Sequence, residues 1–133
     1  MKNNIDAGIL TWRIILGVLM LIHGIYKLFN GIAFIKGLFV ERGLPEILAY
    51  SVHIGETIAP LLIIIGYRTK ISSVILALTM IVAVGLVYPD KIFALNQFGG
   101  WFIELNAFFF FGAIGLFFTG GGKYSVSTTS KWD

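Results

Sequence analysis

Six side chains that can carry a charge or a proton sit inside stretches otherwise apolar enough to cross a bilayer. They are Arg13, His23 and Lys27 in the first stretch, His53 and Glu56 in the second, and Glu104 in the last. Such groups cost several kcal/mol in hydrocarbon unless paired or hydrated, so by default they mark a functional site. Histidine, carboxylate and lysine beside an apolar slot suit a quinone headgroup, whose carbonyls need donors and whose reduction needs protons from titratable groups. On this reading His23, Glu56 and Lys27 are the catalytic candidates. Arg13, His23, His53, Glu56, Glu104 and Phe108 are the candidate ligand-binding residues. The same set suits a proton-linked carrier of a small solute. Two histidines at matched depth on different helices could also ligate a haem axially. Four short spans leave little room for a porphyrin, so haem ranks below quinone.

The elements that must position these residues are four apolar blocks, at about 9–29, 47–66, 72–88 and 101–119. A span in lipid satisfies its backbone internally, and none of the blocks alternates with the two-residue period of a barrel strand, so helices are expected. The predicted fold is all-α, an integral membrane four-helix bundle forming a single domain over 1–133. Between spans one and two, residues 31–42 carry Phe34, Ile35, Leu38 and Phe39 on one side and Lys36, Glu41 and Arg42 on the other. This pattern predicts a short helix lying in the membrane interface. Pro45 is placed to open the second span at its first turn. The polar tail, 120–133, begins with three glycines and is rich in Ser and Thr. Its part from Lys123 to Asp133 is expected to be mobile.

The bulk composition agrees with this reading. The chain of 133 residues is 57% apolar and 13% charged, against about 25% charged in soluble domains. It has no cysteine, which excludes dithiol chemistry, thiolate-bound metal and iron–sulfur clusters carried by this chain. No metal site, nucleic-acid motif, nucleotide loop or nucleophile elbow is recognisable. The first block is longer than a signal-peptide core and is read as a retained span. Four spans put both termini on the side of the Arg68/Lys70 hairpin. The balance of basic residues favours that side as cytoplasmic.

Faces and depths sharpen the site. On the first helix Arg13, Gly17, Met20, His23, Gly24 and Lys27 share an arc of about 120°. His23 and His53 come out roughly 6 Å to the outer side of the midplane, Glu56 near the middle and Glu104 roughly 9 Å outward. Arg13 is alone in the inner half. On the second helix His53, Glu56, Thr57 and Pro60 form one stripe, and Pro60 removes the amide that would bond the Glu56 carbonyl. Gly17 and Gly24 allow another helix to come close. The expected result is one outward-opening pocket holding His23, Lys27, His53, Glu56 and Glu104, with Phe108 and Phe111 on its wall. The structural alternatives are equally concrete. The histidines could bond between helices, Lys27 could snorkel or pair with Glu56, and Glu104 could serve its own helix N-terminus. Arg13 could reach the headgroups, the tail or a lipid phosphate.

Arg13 followed by Gly17, then His23-Gly24 and Lys27, resembles the first-span signature of the DoxX family of small four-helix membrane proteins. The resemblance continues through Gly43-Leu44-Pro45, the Glu56 helix, Gly66 with Arg68-Thr69, Gly99-Gly100, Trp101, Glu104 and the glycine-rich stop after the last span. It implies a bacterial inner-membrane protein linked to redox work. Members with described roles are associated with thiosulfate:quinone oxidoreductase or terminal quinol oxidase complexes, or with a membrane oxidoreductase complex handling oxidative and thiol stress. The family pattern points at Arg13, His23, Lys27, Glu56 and Glu104, whereas His53 stands on physical grounds alone. The expectation is a quinone-linked oxidoreductase subunit in contact with lipid, acting as a homodimer or with partner membrane or redox subunits. The alternatives are a non-enzymatic assembly subunit and a small-solute or proton carrier.

Overall fold

The computed structural model describes residues 2–133, with side chains from Asn4 onward. It is helical throughout, and among the described residues extended pairing is limited to a single bridge between Leu95 and Trp101. Helix α1 is Lys2–Asn30, α2 is Ala33–Glu41, α3 is Glu46–Ile65, α4 is Thr69–Val87 and α5 is Glu104–Thr119. Helices α1, α3 and α4 are long and apolar enough to cross a membrane, and α5 is a shorter apolar helix of 16 residues. The fold is an all-α membrane helical bundle, with α2 as the short additional helix between the first two spans.

All four long helices meet in one core. Leu16 and Met20 come from α1, Ile63 from α3, Leu76, Ala77 and Met80 from α4, and Phe109, Ala113 and Leu116 from α5. A second, smaller cluster joins Ile32, Phe39 and Ala49 beneath α2. The remaining large apolar side chains of the spans are mostly exposed. That is the inverse of a soluble bundle and the arrangement a lipid solvent allows.

Helix α3 is not uniform. It opens with a 3-10 turn at Glu46–Tyr50 after Pro45, becomes α-helical at Ser51–His53, widens to a π turn at Ile54–Ile58 and resumes as α-helix at Ala59–Ile65. Pro60 follows the π turn directly. It has no amide to return to the Glu56 carbonyl, and the widened turn is the local solution. Gly24 of α1 packs on that carbonyl and on the Thr57 hydroxyl, and Gly17 packs on Pro60 and Ile64. The two glycines therefore bring α1 against α3 backbone to backbone.

The tail departs from the expected mobility. Val126 N–H donates to Ile65 O at 3.1 Å and Ser127 N–H to Gly66 O at 3.2 Å. Lys70 N–H donates to Trp132 O at 3.1 Å, and Lys123 N–H donates to Asp6 Oδ1 at 3.2 Å. The orphan carbonyls at the end of α3 and the orphan amides at the start of α4 need partners, and the tail supplies them. Burial alone pushes the Asp133 carboxyl up, but the Ser130 amide, the Ser127 hydroxyl and nearby Arg68 outweigh it and hold it below the usual carboxylate range.

Candidate functional site: an ion pair in an apolar cavity

Lys27 and Glu56 meet. Lys27 Nζ donates to both carboxylate oxygens of Glu56, each at 2.6 Å. The Glu56 side chain is 5% exposed and that of Lys27 27%. Lys27 lies one turn beyond Gly24 on α1, and the absence of a side chain at Gly24 lets the lysine reach across. The pair borders a cavity of about 430 Å³. Phe34, Ile35, Leu38 and Phe39 of α2 roof it, Val52 and Ile54 of α3 form one wall, and Leu78, Thr79 and Val82 of α4 form another. The volume lies within the ordinary range of small-molecule sites, about 300–1,000 Å³. An ammonium has three donors, and two are spent on Glu56. The third proton, and the unused lone pairs of the carboxylate, can serve a ligand that enters the cavity.

The other predicted residues lie elsewhere. His23 is exposed and stands edge-on to Phe109 of α5, with ring centroids 6.1 Å apart. His53 is half-buried beside Tyr50, 6.4 Å between rings, and its Nδ1 is buried without a partner. Glu104 and Phe108 line a separate shallow groove with Trp12 and Trp101. Glu104 opens α5, where a carboxylate suits the positive end of the helix. Phe108 is exposed and packs on Trp12, 5.3 Å between centroids. The expected single pocket is therefore divided, and none of His23, His53, Glu104 and Phe108 lines the cavity of the ion pair.

Two local causes explain the division. An arc of 120° on α1 is wider than one helix contact: Gly17, Gly24 and Lys27 face α3, while Leu16, Met20 and His23 turn toward the core and α5. On α3 the π turn between His53 and Pro60 rotates the residues on its two sides away from a common α-helical stripe.

Arg13 belongs to the opposite end of the bundle. It is 1% exposed, and its guanidinium donates to Gly121 O, to Ile64 O at 3.1 Å and to Tyr124 O at 3.0 Å. These carbonyls lie at or just past the ends of α3 and α5, where helix dipoles present negative charge. Gly66, in the left-handed conformation with φ 74°, leaves room for the guanidinium.

Sequence reasoning did not find the clasps that hold α2 over the cavity. Lys36 reaches Glu46 at 3.0 Å and lies 4.7 Å from the centroid of the Tyr50 ring. Tyr50 and then Glu46 push its ammonium above the ordinary value. Arg42 donates to the carbonyls of Gly85 and Leu86 at the end of α4, both at 3.1 Å. The available signal was the position of these charges on either side of the Gly43-Leu44-Pro45 turn. Thr79 was also missed, since the third block carries no charge to draw attention to it. Among the described residues no group of three or more His, Cys, Asp or Glu could hold a metal ion.

Comparison with known proteins adds a family. The protein "Putative oxidoreductase CatD" of Bacillus subtilis (strain 168) is 34% identical over 84 residues, which is 63% of this chain and 62% of that relative. The chain thus matches less than two thirds of the relative's length. No solved structure matches the chain. The DoxX family model matches residues 8–89, a stretch that contains Lys27, Glu56 and every residue lining their cavity but not Glu104 or Phe108. By that match, over more than half its length, this chain belongs to the DoxX family.

Proposed function

We propose that the chain is a redox-linked subunit of the bacterial inner membrane that binds a quinone headgroup against Lys27 and Glu56. One observation carries the reading: a bidentate ion pair with a buried carboxylate borders a largely apolar cavity of ligand size. An ion pair serving packing alone would be filled in on all sides. Here the ammonium keeps a donor for a carbonyl oxygen, and the carboxylate can accept from a ring hydroxyl or take its proton. The quinone supplies the two-electron chemistry, and the residues hold its ring, exclude water and move a proton at Glu56. The oxidoreductase name of the Bacillus subtilis relative supports the redox assignment. Electrons come from a partner subunit or a soluble donor. Cytoplasmic termini follow from the basic residues Arg68, Lys70, Lys123 and Lys131 at that end.

The test is quinone binding by purified protein in lipid nanodiscs, followed by ring absorbance and by extraction of co-purified quinone. Wild type is expected to retain quinone, and Glu56→Gln and Lys27→Met are expected to lose it. Retention by both variants, or none in wild type alongside intact assembly with partner proteins, would replace this reading with that of an assembly subunit.

A further inference from the structure

We propose that the cavity is filled sideways from the bilayer, through a portal between α2, α3 and α4, and that it admits a quinone whose apolar tail remains in hydrocarbon. This rests on the Lys27–Glu56 cavity being the headgroup site. The residues lining the cavity differ sharply in exposure. Glu56 at one end is buried, whereas Phe34, Ile54, Leu78 and Val82 line the cavity and are 68%, 48%, 56% and 48% exposed. These four mark the mouth.

The mouth is at the depth of acyl chains. Helix α4 has 19 residues, a length of about 28 Å. Leu78 sits about 14 Å along it, at mid-depth, and Val82 about 6 Å further out on the same face. Both are apolar, as are Phe34 and Ile54, so the opening presents nothing that water would solvate. The water-facing side is covered by α2, which is clasped to α3 through Lys36–Glu46 and to α4 through Arg42 and the carbonyls of Gly85 and Leu86. No comparable polar clasp spans the portal among the described residues. A ligand that enters the cavity by this mouth arrives dissolved in lipid. With its ring at the ion pair, a chain attached to that ring leaves through this mouth, where it exchanges one apolar contact for another.

The experiment uses the full chain in nanodiscs and a quinone series of one ring type with no, one or two isoprene units, each dosed by mole fraction in the lipid so that partitioning is removed. Affinity on that scale is expected to stay within about threefold across the series, because the tail trades like contacts, while affinity per total quinone added rises at least tenfold with the tail. Leu78→Trp/Val82→Trp, which blocks the portal with side chains already exposed, is expected to slow association of the tailed quinone at least tenfold. Leu78→Ala/Val82→Ala, which widens it, is expected to accelerate association. A fall in affinity on that scale of more than tenfold when the tail is added, as an enclosed site would give, or wild-type association rates in both portal variants, would overturn the proposal. So would a cavity holding a phospholipid chain that no quinone displaces, as read by native mass spectrometry. Failure of wild type to bind any member of the series would instead remove the headgroup site itself.

Discussion

At the termini end of the bundle a buried arginine is surrounded by carbonyls, and at the α2 end a half-buried lysine is matched by a buried carboxylate beside open space. Arg13 spends its guanidinium on three backbone oxygens supplied by α3 and by the segment after α5. Lys27 faces one full opposite charge and a cavity. Carbonyl dipoles can hold a cation, but they cannot accept or release a proton in the working range of pH. A carboxylate can. Two cations on one helix are thus partnered for different ends, one to tie segments together and one to meet a ligand.

The largest effect is expected from separating the pair. Lys27→Met leaves a buried carboxylate without its cation and is expected to cost about 3–5 kcal/mol in denaturation in detergent, together with loss of bound quinone. Lys27→Met/Glu56→Leu, which removes both charges, is expected to recover most of the stability and none of the binding. If the double variant still binds quinone, the α2 end is no more a ligand site than the termini end.

Arg13→Leu strands three carbonyl acceptors and is expected to cost about 2–3 kcal/mol. It should expose the segment after Gly120 to protease while leaving quinone affinity within about twofold, a separation expected of sites too far apart to couple. A matching loss of affinity would show that the two ends are not independent. Gly24→Ala drives a methyl into the Glu56 carbonyl and the Thr57 hydroxyl. It is expected to cost about 1–3 kcal/mol and to weaken binding by displacing Lys27. Gly37→Ala, where an added methyl meets nothing within 4 Å, is the control and should leave both unchanged.

The smallest effect is that of pH on the tail. The Asp133 carboxyl is held below its ordinary value of 3.8. Its contribution is therefore complete above that value and is lost as pH falls through the lower folded-state value. Amide exchange at Ser130 is expected to quicken below pH 3.8 while exchange along α1 does not. Unchanged exchange in acid would show that the tail is held by its backbone bonds alone.

Much of this was legible from residue types. Apolar blocks gave the spans, the alternation around Phe34 and Leu38 gave α2, and Gly17 and Gly24 gave the close approach of α1 to a neighbour. The pairing of Lys27 with Glu56 stood among the alternatives, because opposite charges at similar depth have few other remedies in lipid. The grouping of the remaining polar residues was not legible. A helical wheel assigns directions without saying how many neighbours share an arc, so His23 could not be separated from Lys27. Pro60 signalled a disturbance in α3, but not that a π turn would resolve it and redirect His53. The folded tail was hidden for a related reason. Composition registers polarity and small side chains, whereas the bonds that fix the tail run from its backbone to helix ends.

The unequal lengths of α1 and α5 bear on the lipid around the protein. Sixteen residues of α5 reach about 24 Å, short of a hydrocarbon layer of about 30 Å. The apolar block of α1, 9–29, reaches about 31 Å and matches the layer. Hydrophobic mismatch therefore falls on one flank, with acyl chains compressed beside α5 and the polar start of α1 standing outside the layer. Thick bilayers would strain the flank that carries Glu104, and that flank is where a neighbouring subunit would most relieve the surrounding membrane.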